Sequence, residues 1–239
     1  MSPCTYAPSW VPRAALLSLL SLSFGAVACD VGAQVVRGVG PVVREARAVG
    51  GIAGTSTAAP DGIQLSGEVD LNVRVGRTFA VWIEGHDDLI GFVETRMDDA
   101  GLRVSVPSAV RLVPPPHVEV ELPGLVRLGM SGSGSVRIEG VQGEALALTL
   151  VGSGDLDVEG SVQRVTLGMT GSGDADLDAL LAEEVKVNKT GSGAARVYAA
   201  RALDGEILGS GDLSYRGGAS DVRVKILGSG RVRPLGGAD

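Results

Sequence analysis

The tripeptide Gly-Ser-Gly recurs six times in the second half of this 239-residue chain, at almost constant intervals. The steps between copies are 20, 19, 20, 18 and 19 residues, and the copies begin at Gly132, Gly152, Gly171, Gly191, Gly209 and Gly228. A fixed period of about 20 residues is typical of a repeat architecture in which each copy is one supersecondary unit stacked on the next. This repeat constrains the fold more than any other feature of the sequence.

Apolar and polar residues alternate on both sides of each tripeptide. Two residues after the last glycine of each copy stand Val136, Leu156, Ala175, Ala195, Leu213 and Val232. The residues two, four and six positions before the first glycine are again mostly apolar, as in Val126, Leu128 and Met130. Strict alternation indicates a strand with one buried face, so each unit holds two strands and two turns and has no room for a helix.

Two all-β arrangements fit this unit: a chain of antiparallel hairpins, or a solenoid whose equivalent strands stack in parallel. Short hairpins favour Asn-Gly or Asp-Gly, and the tripeptide turns contain neither dipeptide. We therefore predict a right-handed β-solenoid (β-helix) of stacked coils of 19–20 residues with Gly-Ser-Gly at the corners. Such a corner requires positive φ and close approach of neighbouring coils, and we expect positive φ at Gly154 and Gly173.

Lys189 interrupts the apolar column that precedes the tripeptides. It occupies the slot that Met130, Leu150, Met169, Ile207 and Ile226 fill in other copies. A buried lysine can mark a functional site. The simpler interpretation is a local slip of the register, or a side chain that extends outward to solvent at the corner.

The N-terminal region predicts export. Residues 14–28 carry no charge and follow Arg13, which suits the apolar part of a signal peptide better than a membrane span. Their end, Ala26-Val27-Ala28-Cys29, resembles a bacterial lipobox, although Ala26-x-Ala28 also satisfies an ordinary signal peptidase. Cys4 would leave with the signal, so Cys29 would be the single thiol of an exported protein, and lipidation accounts for it. We predict a signal peptide at 1–28, a tether at 29–40, and a membrane-anchored lipoprotein of the bacterial cell envelope, in the periplasm or at the cell surface.

Residues 41–125 lack the tripeptide but contain further strand patterns, for example at 63–75 and 102–106. Residues 87–97 fit one short helix, with Leu89, Ile90 and Val93 on one side. We interpret 41–125 as the irregular opening part of one β-helical domain, 41–236, whose repeats occupy 126–236. A separate domain joined at the proline run 114–116 is the alternative.

Acidic residues follow two successive tripeptides and form the sharpest surface feature of the chain. If the coils stack, Asp155, Asp157 and Glu159 lie beside Asp174, Asp176 and Asp178, about 4.8 Å away. A divalent cation could relieve their repulsion, but the spacing differs from the calcium-binding nonapeptide repeat. We expect a solvated face on which Arg137 and Arg196 supply counter-charge, and we retain these six carboxylates as a candidate binding surface.

The remaining composition argues against other classes of function. The formal net charge of −7 leaves no basic stripe for nucleic acid. His86 and His117 have no partner at metal-ligand or catalytic-triad spacing, and neither a Gly-x-Ser-x-Gly elbow nor a nucleotide-binding glycine loop occurs. We predict no catalytic residue, no metal and no cofactor.

Three features occur in order along the chain: an Ile-x-Leu-Ser-Gly strand at 63–67, the stretch 84–104 that begins Glu-Gly-His-Asp-Asp-Leu-Ile, and the Gly-Ser-Gly ladder. Together they resemble the head GIN domain family of putative auto-transporter adhesins, over roughly residues 42–235. The resemblance implies a β-helix in the cell envelope, often on a lipoprotein, and it implies no catalytic motif.

These observations lead to three hypotheses about function. The first is a lipid-anchored envelope module without catalytic activity that binds a macromolecule or glycan of the cell envelope or of a host surface. The second is a structural or scaffolding subunit of an envelope complex. The third, an enzyme acting on polysaccharide, rests on fold-level analogy, because β-helices host such activities.

Overall fold

The computed structural model describes residues 33–49 and 59–236. The predicted signal peptide and Cys29 lie outside these residues. The part before the repeats contains one 3-10 helix, Ile90–Phe92, and nine strands: β1 (Gln34–Arg37), β2 (Val42–Ala46), β3 (Gly62–Gly67), β4 (Asp70–Val75), β5 (Ala80–His86), β6 (Glu94–Asp98), β7 (Gly101–Ser105), β8 (Val110–Val113) and β9 (His117–Leu122). The repeats add eight more: β10 (Arg127–Gly132), β11 (Ser135–Gly152), β12 (Asp155–Gly171), β13 (Ala175–Gly191), β14 (Ala195–Gly209), β15 (Leu213–Arg216), β16 (Asp221–Gly228) and β17 (Val232–Pro234).

The repeats form a β-solenoid of about five turns in which equivalent strands stack in parallel. The column predicted after the tripeptides is confirmed, because each residue is the register partner of the next: Val136, Leu156, Ala175, Ala195, Leu213 and Val232. The first five are buried and Val232, on the last coil, is partly buried. Parallel stacking rules out the chain of hairpins.

The expectation of positive φ at Gly154 and Gly173 is wrong. Positive φ belongs to the first glycine of each copy, for instance 126° at Gly152 and 128° at Gly171, and not to the second. The second glycine is required by space, because a Cβ at Gly154 or Gly173 would overlap the carbonyl oxygen of the equivalent glycine on the preceding coil. The serine between them donates its backbone N–H to that coil, as Ser172 does to Gly152 at 2.9 Å. The hydrogen-bond ladder therefore continues around the corner.

The coils before the repeats do not stack in chain order. Strand β3 lies between β10 and β7, and β4 lies between β11 and β9, all in parallel. The coil of residues 62–75 is therefore sandwiched between the coil of residues 101–122 and the first repeat. Its Ser66-Gly67 pairs in register with Ser131-Gly132, so it serves as an extra copy of the repeat without the full tripeptide.

Antiparallel strands cover the outer side of the coil 101–122. Strand β5 pairs with β9, β2 pairs with β5, and β6 pairs with β7. The helix expected over 87–97 is wrong except for its short 3-10 turn, because residues 94–98 form β6. Leu89, Ile90 and Val93 are nevertheless buried, so the apolar side of that segment contacts the core. Within the described residues, no helix has the length and the hydropathy of a membrane span.

Candidate functional site

The acidic residues predicted as a binding surface lie on the outward side of the strands that follow the tripeptides. We call this surface the charged face. Its first row runs across neighbouring strands in register as Asn72, Arg137, Asp157, Asp176 and Arg196. The structure therefore places two aspartates side by side, as the sequence predicts, and one arginine on each side of them.

Arginines pair with the carboxylates of this face. Arg137 lies 3.1 Å from Glu139, 3.5 Å from Asp157 and 3.8 Å from Glu159. Arg196 lies 3.2 Å from Asp176, and Arg216 lies 3.4 Å from Asp178. Apart from Asp178, which is partly buried, these side chains are largely exposed, so each exposed pair contributes little to stability, roughly 0–1 kcal/mol. The result is a row in which two adjacent carboxylates lie between two guanidinium groups, with little net charge along the row.

Asp155 and Asp174 have a different role from the other four acids. The carboxylate of Asp174 accepts the backbone N–H of Ala194 at 2.6 Å, and that of Asp155 lies 3.4 Å from the N–H of Asp174. Asp70 and Asp212 accept the backbone N–H groups of Ser135 and Arg231 in the same way, each from the neighbouring coil of the stack. Each of these aspartates lies at the start of the strand after a corner, where it caps the next coil. The alignment of the repeats contains this signal, since the position after the second glycine is Asp in three copies.

A shallow groove of about 390 Å³ runs across the middle of the charged face. Its polar lining comes from three successive coils and a fourth at the edge: Ser135, Arg137, Asp155, Asp157, Asp174, Asp176 and Arg196. Within the described residues, no group of three or more His, Cys, Asp or Glu side chains is arranged to hold a metal ion. The groove presents hydrogen-bond donors and acceptors at the regular spacing of the strands, about 4.8 Å.

Trp82 ends the first row of the charged face, and sequence reasoning did not single it out. It pairs in register with Glu119, whose strand neighbours Asn72. The guanidinium of Arg44 lies 5.5 Å from the ring centroid and 2.5 Å from the carboxylate of Glu119. A pocket of about 120 Å³ beside them includes Asn72, whose Oδ1 is buried without a hydrogen-bond partner among the described residues. The sequence signal was the alternation of residues 79–83, which places Trp82 outward.

The two histidines lie apart from this groove. The Nδ1 of His86 is 2.5 Å from the backbone carbonyl oxygen of Gly40, which fixes the loop after β1. His117 is the first residue of β9 and pairs in register with Glu84 and Asp70. Both histidines are therefore part of the strand framework at the N-terminal end of the solenoid.

Lys189 is buried, which overturns the interpretation that it slips or extends to solvent. Its register partners are Met169 and Ile207, and only 1% of its surface is exposed. Its Nζ has no hydrogen-bond partner among the described residues, and a Cβ at Gly211 would overlap it. Burial lowers the pKa of the ammonium group, and the charges of Asp212 and Asp174 oppose this shift. The side chain is enclosed in the core and does not open onto the charged face.

Several solved bacterial structures are similar to this fold. A putative adhesin from Bacteroides fragilis is 18% identical with a TM-score of 0.66, and the match covers 84% of this chain and 100% of that chain. A putative adhesin from Parabacteroides merdae is 22% identical with a TM-score of 0.52, over 85% and 100% of the two chains. A putative lipid binding protein from Parabacteroides distasonis is 19% identical with a TM-score of 0.50, again over 85% and 100%. At these identities the likeness shows the fold.

No curated protein is similar enough to this sequence to be matched with it. The sequence itself assigns the family. The family described as "Putative auto-transporter adhesin, head GIN domain" matches residues 59–219. This range includes the coils 62–75 and 101–122, the acidic residues of the charged face and five of the six tripeptides. The chain belongs to this family of head GIN domains.

Proposed function

We propose that the protein is an exported module of the bacterial cell envelope, lipid-anchored through Cys29, that binds a polymer through the charged face and has no catalytic activity. The family supports the adhesion-type role, because it is described as putative auto-transporter adhesins. The lipobox-like Ala26-Val27-Ala28-Cys29 supports the anchor, and the signal-like residues 1–28 support export. Of the predicted tether 29–40, residues 34–37 form β1 and pair with β8, so the residues between Cys29 and β1 would link the anchor to the domain.

The observation that carries this proposal is the row Arg137, Asp157, Asp176, Arg196, in register on four adjacent strands. Backbone hydrogen bonds fix the spacing of these side chains, so little conformational entropy is lost when they bind. A linear glycan presents hydroxyl groups at intervals along its length, and both carboxylates and guanidinium groups hydrogen-bond to hydroxyls. Trp82 at the end of the row adds an aromatic surface of the kind that packs against apolar faces.

A glycan fits better than a nucleic acid or a small ligand. The net charge of −7 repels phosphates, and an open groove covers only part of a small molecule, whereas ligand pockets bury most of one. The partner we propose is therefore a polysaccharide of the envelope or of a host surface. The name of the Parabacteroides distasonis relative suggests lipid as a second ligand class, but the outward side chains of this row are polar.

The test is a binding screen with the exported Cys29→Ser protein against immobilised envelope polysaccharides and host-matrix glycans. The variant Asp157→Asn/Asp176→Asn removes two acceptors from the groove and leaves Arg137 paired with Glu139 and Glu159. We expect binding to weaken by about tenfold or more, as for the loss of two charged hydrogen bonds. The matched control, Asp204→Asn/Glu206→Gln, changes two acids on the face that precedes the tripeptides, and it should bind as the parent does.

Three results would contradict the proposal. Equal binding by both variants would place the site elsewhere on the molecule. Absence of binding to every glycan, together with capture of one stoichiometric membrane protein from the native envelope, would favour the scaffolding role. Release of shortened products from any bound polysaccharide would favour the enzyme hypothesis.

A further inference from the structure

The two ends of the solenoid both present unpaired strand edges. At the C-terminal end, β16 pairs only with β14 and β17 only with β15 among the strands that the structure describes. At the other end, β6 pairs only with β7 and β2 only with β5 within the same part of the chain. A free edge is a template for pairing with another strand, and natural proteins usually block such edges. We call residues 221–234 the tail and residues 87–99 the head.

The tail also exposes apolar side chains that the preceding coils bury. Ile226 stacks on Ile207 in the inward column, yet it is 38% exposed whereas Ile207 is fully buried. Val222 is 38% exposed on the same strand, above the buried Leu203. These side chains point into the core, and they are exposed because no described coil covers their outer side. At the opposite end Val42 is exposed on the edge strand β2, and Met97 on β6 is partly exposed. Covering either end would therefore remove exposed apolar side chains from water.

The charges of the two ends are complementary. The tail carries four cations, Arg223, Lys225, Arg231 and Arg233, against the single acid Asp221. The head carries five acids against the single cation Arg96, and these are Asp87, Asp88, Glu94, Asp98 and Asp99. Exposed ion pairs already link Arg223 to Asp221, Lys225 to Glu206 and Arg233 to Asp212, and exposed pairs of this kind are weak enough to exchange partners. Complementary patches of this kind select partners and orient their encounter.

We propose that the tail of one molecule docks on the head of a second copy, with β16 pairing antiparallel to β6. The direction follows from the topology: β6 runs antiparallel to β7, and β7 runs parallel to the coils that end in β16. Pro234 lacks an N–H and weakens the edge of β17, so the main ladder forms on β16. Each contact joins two different surfaces and leaves one head and one tail free, so the copies assemble into a coaxial row. This self-association goes beyond the binding of a glycan and uses none of the residues in the groove.

The experiment is sedimentation velocity on the exported Cys29→Ser protein with charge-reversed ends. The tail variant is Arg223→Glu/Lys225→Glu, and the head variant is Glu94→Lys/Asp99→Lys. We expect the parent to form oligomers that grow with concentration and dissociate in high salt, and each variant alone to associate at least about tenfold more weakly. An equimolar mixture of the two variants retains one intact head and one intact tail, and its reversed tail and reversed head are again of opposite charge, so it should assemble beyond a heterodimer as the parent does. Lys186→Glu/Arg164→Glu, on the middle coils of the same face, is the control and should assemble as the parent does.

Several results would overturn the proposal. The proposal is wrong if the parent protein stays monomeric at millimolar concentration. It is equally wrong if the monomer instead binds an acidic segment of another protein. If the parent forms only a dimer, and the head substitutions do not weaken that dimer, the contact is a symmetric tail-to-tail one. If charge reversal unfolds the last coil, detected as a lower melting temperature, the milder Arg223→Gln/Lys225→Gln variant replaces it and should weaken assembly while the melting temperature stays unchanged.

Discussion

Replacing Lys189 with methionine should stabilise the domain. Methionine already fills the same slot at Met130 and Met169, so the substitution extends an existing column of side chains. It removes an Nζ that is buried without a hydrogen-bond partner among the described residues. An unsatisfied buried polar group costs about 1–3 kcal/mol, and more when it is charged. We therefore expect the free energy of unfolding to rise by about 2 kcal/mol, which corresponds to about 4–8 °C in Tm for a domain of this size.

The pH dependence of this gain identifies its cause. Burial lowers the pKa of Lys189 below its ordinary value of 10.5, with Asp212 and Asp174 opposing the shift. The unfolded chain therefore holds the proton more tightly than the folded protein, and the folded wild type becomes more stable as the pH rises from the lowered pKa towards 10.5. The methionine variant has no such group. Its advantage over wild type is thus largest below the lowered pKa and decreases as the solution becomes alkaline.

Chemical denaturation between about pH 6 and about pH 10, followed by far-UV circular dichroism, measures both effects. Lys186→Met is the matched control, because Lys186 is exposed and lies on the same strand, and its substitution should change stability by less than about 0.5 kcal/mol. A Lys189→Met protein that is no more stable than wild type would refute the argument. So would an advantage that increases with pH.

Two further predictions concern the corners and the anchor. Gly154→Ala should destabilise the domain by about 3 kcal/mol or more, because its Cβ would overlap the carbonyl oxygen of Gly134. Gly168→Ala, in the same coil, meets its nearest atom at 3.8 Å and should be neutral within about 0.5 kcal/mol, so equal melting temperatures for the two variants would contradict the close-approach account. Cys29→Ser should move the protein from the membrane fraction to a soluble, processed exported form, since multiple acyl chains hold a protein on a bilayer where one is marginal. A wild-type protein that mass spectrometry shows to be unlipidated would disprove the anchor.

The sequence predicts the solenoid because its signals are local and repeated. Strict alternation specifies which side chains point inward, and six copies of one tripeptide specify the register, so the column from Val136 to Val232 follows from spacing alone. The individual role of each corner glycine does not follow in this way. Positive φ and lack of space both select glycine, and only the positions of the neighbouring coils separate Gly152 from Gly154.

The interpretation of Lys189 from the sequence is wrong, because it compares this residue with the apolar residues at the same position in the other repeats. A charged residue in an apolar column suggested an irregularity, since exposing the ammonium group avoids its desolvation. Thirteen register pairs between β12 and β13, and as many between β13 and β14, instead hold the strand in place. A one-residue slip would turn every inward side chain of that coil outward. The cost of burying one lysine is smaller than that of exposing the whole set, so the coil keeps its register and the lysine stays inside.

The coil order at the N-terminal end is the part that no local signal determines. Residues 62–75 carry an Ile-x-Leu-Ser-Gly strand that matches the repeat, so pairing with the strand next in sequence would satisfy the pattern equally well. The chain instead inserts this coil between residues 101–122 and the first repeat. The antiparallel strands β2, β5 and β6 can then cover the far side of the coil 101–122, which lacks the glycine corner that admits another coil. The coil 62–75, which has a glycine at its corner, therefore stacks between two other coils, and the coil 101–122, which lacks one, is covered by antiparallel strands. This order depends on which surfaces remain exposed once the whole stack has formed, so the alternation of residues along the chain does not predict it.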